Sequence, residues 1–110
     1  MTDVSKLSTI VYIDYDALYW GSKNLFNCPP DIEQVINNVK EKAVLIDIKV
    51  FADFTCKELS LEQQRLNVFT NSVFNCSHQG KNLTDFFMLD HIYRDAHQRQ
   101  DVQQSVIVSG

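Results

Sequence analysis

At 110 residues, 45% hydrophobic and 22% charged, the chain has room for one small globular domain and lacks the composition of a disordered protein. Its net charge of −4 argues against a module that grips nucleic acid chiefly by blanketing phosphates with positive charge. That charge is compatible with an enzyme that gathers carboxylates around a metal ion.

The first residues, Met1 to Lys6, contain no apolar leader, and no later run approaches the length needed to span a bilayer. Three cysteines (Cys28, Cys56, Cys76) form no CxxC pair and point to reduced thiols, so the expected setting is the cytoplasm, away from membranes. Ser8-Thr9-Ile10-Val11-Tyr12-Ile13-Asp14 is a β-branched and aromatic run of the kind that forms a strand buried on both faces. Up to Pro29 the pattern assigns no further element. Pro29-Pro30-Asp31 then opens a helix whose stripe runs through Ile32, Val35, Ile36 and Val39 and on to Ala43 and Val44.

Ile46 to Ala52 reads as a second strand and Glu58 to Phe69 as a helix resting on Leu59, Leu66 and Phe69. Val73 to Cys76 is a brief third strand. Asn82 to about His97 is a helix with an expected inner stripe of Phe86, Leu89 and Tyr93, and Met88 and Ile92 beside it. Ser105 to Ser109 is the fourth strand. Strands alternating with helices imply a parallel sheet with right-handed crossovers. The expected fold is therefore α/β, a three-layer Rossmann-like domain with a mostly parallel central sheet of at least four strands. The sequence ends just after a core strand, where such a sheet normally continues into a helix. A further C-terminal domain or a homodimer would cover that face.

In open parallel sheets, ligands bind outside the carboxyl ends of the strands. Asp14 ends the first strand, with Asp16 two residues on. Asp53 follows the second strand, and Asp85 falls in the first turn of the helix after the third. Topology alone sends all four to one edge. Crowded carboxylates raise one another's proton affinity unless a cation neutralises them, and a hard ion such as Mg²⁺ or Mn²⁺ is the usual solution. Such an ion can polarise a phosphoryl oxygen and activate water, so metal-assisted hydrolysis of a phosphodiester is the expected chemistry. Taken singly, Asp16 can instead cap a helix that follows it, and Asp53 can begin a turn. Tyr15 and Tyr19 near Asp14 are candidates for base stacking or for the core. The three histidines lack zinc spacing, and the chain has neither a P-loop nor a dinucleotide-binding GxGxxG.

Four segments, taken in order, resemble the NYN domain family of PIN-like nucleases. These are Val11 to Trp20 with its Asp14 and Asp16, Val50-Phe51-Ala52-Asp53-Phe54, Lys81-Asn82-Leu83-Thr84-Asp85, and Val106-Ile107-Val108-Ser109-Gly110. The resemblance spans nearly the whole of residues 1–110 as one domain that stops before the family's last acidic motif. It implies a PIN-like fold and a Mg²⁺- or Mn²⁺-dependent ribonuclease acting on RNA. Asp14 and Asp85 would hold the metal, with Asp53 close by. Asp90 would be a further ligand, and Lys81, Asn82, Tyr15 and Ser109 would contact the substrate.

There are departures from the family pattern. Ala17 stands where an Asn is expected. His91 stands six residues after Asp85, where a second acid is expected, and the nearest acid, Asp90, is displaced by about 100° of helical turn. The alternative is a catalytically degenerate PIN-like domain that binds RNA or a protein.

Overall fold

The computed structural model describes residues 6–76 and 83–109. Among these residues lie four strands and four helices: β1 (Ser8–Asp14), α1 (Tyr15–Phe26), α2 (Ile32–Lys42), β2 (Val44–Ala52), α3 (Lys57–Asn67), β3 (Val73–Asn75), α4 (Leu83–Gln98) and β4 (Gln104–Val108). The strands form one sheet in the order β3-β2-β1-β4, and every pairing is parallel. The expected α/β, three-layer Rossmann-like architecture is what forms.

The pleat of each strand sorts its side chains between two cores. From β1, Val11 and Ile13 join Ile48, Val50 and Ala52 of β2 against α1, α2 and α3. Ile10 and Tyr12 face the opposite way and join Phe51, Cys76 and Met88 under α4. Successive strand residues point to opposite faces, so a strand covered on both sides is apolar throughout. β1, buried along nearly its whole length, is that strand.

α1 fills the stretch to which the sequence assigned no element. Asp14 caps it, accepting from the Ala17 amide at 3.3 Å, and Tyr15 and Tyr19, four residues apart, form its buried face. It stops at Asn27, whose left-handed backbone (φ 55°) closes the last turn. α2 opens as the sequence suggests, with Asp31 accepting from the Gln34 amide at 3.1 Å. It ends at Lys42, however, and Val44 belongs to β2, where it pairs with Ser8.

α4 is rotated from its expected orientation. Thr84 and Met88 are buried, and so is Asp95, whereas Phe86 and Tyr93 are 66% and 67% exposed and Leu89 is exposed as well. The cause lies in the sheet. β2 carries Asp47 and Lys49 on the face that α4 covers, and a buried charge needs a partner. Asp95 supplies it. Its carboxylate accepts from Lys49 Nζ at 2.7 Å and from the Tyr12 hydroxyl at 2.7 Å, while Arg99 pairs with Asp47 at 3.7 Å. Burial alone would push the Asp95 carboxyl up, but the hydrogen bonds from Lys49 and Tyr12 hold it below the ordinary range.

The topology creates a switch point. The chain moves from β1 to β2 to β3 toward one edge, then returns through α4 to place β4 on the other side of β1. A crevice at the carboxyl ends of β1 and β4 is where ligands enter such sheets.

Candidate functional site

Asp14 lies at the carboxyl end of β1, on the rim where the chain leaves β2 and enters α4. It is the last residue of the buried strand and only 6% exposed, and its carboxyl lies within hydrogen-bonding reach of that of Asp85, in the first turn of α4. Two carboxyls in contact require a proton or a cation between them. Burial first, and the Asp85 hydrogen bond next, push the Asp14 carboxyl up to about 6, against the pull of the Ala17 amide. Residues 71 positions apart in sequence are thus brought together, as the β-α repetition predicted.

Asp16 has a different role from the cap envisaged in the sequence. Its carboxylate accepts from the Asp53 amide at 3.1 and 3.3 Å and from the Thr84 hydroxyl at 2.9 Å. It therefore fastens the end of β2 and the start of α4 to the first turn of α1. Asp53 lies on the same rim and begins a turn, its carboxylate accepting from the Thr55 amide at 3.0 Å and from the Thr55 hydroxyl. Asn75, at the end of β3, accepts from the Phe54 amide at 3.0 Å. The segments that follow β1 and β2 are thus tied to each other, to the end of β3 and to the start of α4, which holds Asp16 and Asp53 in place. Together they border an open cleft of about 480 Å³ whose apolar side includes Ala17, Trp20 and Leu59.

Other expected contacts fall elsewhere. Asp90 points away from the cleft and pairs with Arg94 at 2.8 Å on the exposed side of α4, so it is not placed to join Asp14 and Asp85. One residue earlier on a helix means a different face. His91, in place of the second acid, packs among Phe51, Phe74 and Phe87 at centroid distances of 5.1, 4.5 and 5.4 Å. Tyr15 is fully buried and donates its hydroxyl to Glu62 at 2.7 Å, which removes it from substrate contact. Ser109 is exposed and follows the Ile13–Val108 pair, beside the end of β1 but outside the cleft lining. Lys81 and Asn82 lie outside the described residues. Among those residues, no group of three or more His, Cys, Asp or Glu side chains stands ready to hold a metal ion.

No family model matches the chain, and no curated protein matches it. A solved structure does. The crystal structure of a protein of unknown function from Vibrio parahaemolyticus is similar over 100% of this chain and 70% of its own, with a TM-score of 0.70 and 16% sequence identity. That likeness shows the fold. No helix among the described residues is long and apolar enough to cross a membrane.

Sequence reasoning missed Cys56 as a neighbour of the carboxylates, and it gave Trp20 and Thr84, which lie near Asp14 and Asp85 in the sequence, no role in the cleft. The spacing of Asp14, Ala17 and Trp20 was the available signal, three residues apart in each step, but it shows one face only once the segment is known to be a helix.

Proposed function

We propose that this chain is a PIN-like, NYN-type domain that hydrolyses RNA phosphodiesters with a Mg²⁺ or Mn²⁺ ion held by Asp14 and Asp85. The observation that carries the reading is the contact between these two side chains at the carboxyl edge of the sheet. The donor set suits a hard cation. Both side chains offer oxygen, and their mutual repulsion disappears once positive charge lies between them. Mg²⁺ commonly keeps several waters and takes only one or two protein carboxylates, so a third acid is not a requirement.

When bound, such an ion supplies charge stabilisation to a phosphoryl oxygen and a more acidic water. The protein's own part is to hold the pieces still. Asp14 is fixed by the α1 amide that it caps. Thr84, next to Asp85, is tied to Asp16, which also anchors the amide of Asp53. Asp53 faces the same cleft and can accept a proton or orient water there. The three free thiols agree with a cytoplasmic setting.

A second reading, a binding domain with a depleted acidic site, is favoured by Ala17 within the cleft and by the outward turn of Asp90. Single-stranded RNA incubated with Mn²⁺, or with chelator, separates the two. The nuclease reading expects cleavage that needs the ion and is lost in both Asp14→Asn and Asp85→Asn. RNA bound but left whole in Mn²⁺, or cut equally by these variants, would refute it.

A further inference from the structure

Trp20 stands at the cleft that Asp14, Asp53 and Asp85 border. It is the only tryptophan of the chain and is 39% exposed. The ring is supported from behind. Tyr19 meets it edge-on, with centroids 5.0 Å apart and planes at 88°. Tyr19 is itself buried against Tyr15 at 5.9 Å, and the Tyr15 hydroxyl is anchored on Glu62. An indole held this way keeps a flat surface in one orientation and loses little freedom when a flat partner arrives.

Positive charge lies on the same side. Lys23 follows Trp20 by three residues on α1 and so neighbours it on the helix surface, while Lys57 opens α3 beside the cleft residue Cys56. Both lysines act on Glu58. That carboxyl is held below the ordinary range by its own backbone amide first and the Cys56 thiol next, with Lys57 and Lys23 adding to the effect. The cleft therefore carries carboxylates and an aromatic plane, with Lys23 and Lys57 beside it around Glu58.

We propose that Trp20 is the stacking platform for an unpaired nucleobase at this cleft, with Lys23 and Lys57 meeting the adjoining phosphates. This inference rests on the nuclease reading for its chemistry, although base stacking itself needs no cleavage. A duplex offers no free base face, so Trp20 selects against it.

The lone tryptophan makes its emission a site-specific reporter. In Ca²⁺, a short single-stranded RNA is expected to quench it saturably, and the same sequence as a duplex, or as an abasic strand, is not. Trp20→Ala is expected to weaken single-strand binding about 5- to 150-fold, measured by anisotropy of a labelled strand. Trp20→Phe, which keeps an aromatic plane and the packing on Tyr19, retains most of the affinity.

Absence of quenching at saturating RNA, equal quenching by duplex, or wild-type affinity in Trp20→Ala would each overturn the proposal. Its failure is separable from failure of the nuclease reading. Quenching by single strands without Mn²⁺-dependent cleavage supports the platform and removes the enzyme. Cleavage that Trp20→Ala leaves intact along with its affinity does the reverse.

Discussion

Replacing Asp14 by Asn should stabilise the ion-free protein at neutral pH while removing its ability to hold a cation. Asn caps a helix about as well as Asp does, so the bond from the Ala17 amide survives. The amide also donates to Asp85 without needing a shared proton. In the native protein the Asp14 carboxyl is raised from an ordinary 3.8 to about 6. A carboxyl raised on folding binds its proton more tightly in the folded state. The stability it contributes is therefore fully present below the unfolded value and is lost as pH climbs through about 6. The interval between the two values corresponds to about 3 kcal/mol, and the side chain is buried enough that solvent screening takes little from it.

In chelator, urea or thermal unfolding at pH 4 should find native and Asp14→Asn proteins alike. At pH 7.5 the variant should be ahead by about 3 kcal/mol, or about 13 °C in Tm. Added Mn²⁺ should close that gap by stabilising only the native protein. Parallel stability curves for the two proteins across this range, or a native protein that grows more stable between pH 5 and 7.5 in chelator, would refute the shared-proton account.

Asp16→Ala should cost about 2–3 kcal/mol in urea unfolding, because it deprives the Asp53 amide and the Thr84 hydroxyl of a charged acceptor. It should also weaken Mn²⁺ binding, measured calorimetrically, by loosening the start of α4 relative to Asp14. Met88→Ala should cost about 2–5 kcal/mol, since Met88 is buried beneath α4. Phe86→Ala, two residues away on the exposed side, should change stability by less than about 0.5 kcal/mol. Comparable losses at both positions would mean that α4 faces the sheet as its apolar pattern suggested.

The sequence by itself determined the order and kind of most elements. The unbroken apolar run of β1 can only be a strand covered on both faces, and the Pro-Pro-Asp start of α2 carries its own cap. Alternation of strands and helices then dictated a parallel sheet, and with it the meeting of Asp14 and Asp85 at one rim. Tertiary structure decided what local pattern left open. α1 was hidden because its apolar and aromatic residues give no clear boundary, and its cap, Asp14, was already occupied as a strand end and metal candidate. The facing of α4 was set by Lys49 and Tyr12, which draw Asp95 inward and leave Phe86 and Tyr93 in solvent. A helix with apolar residues on more than one side is oriented by the buried charge that must be paired, and that partner lies 46 residues away in β2. The same long-range geometry turned Asp90 outward, buried Tyr15, and left Trp20 as the aromatic surface beside the carboxylates.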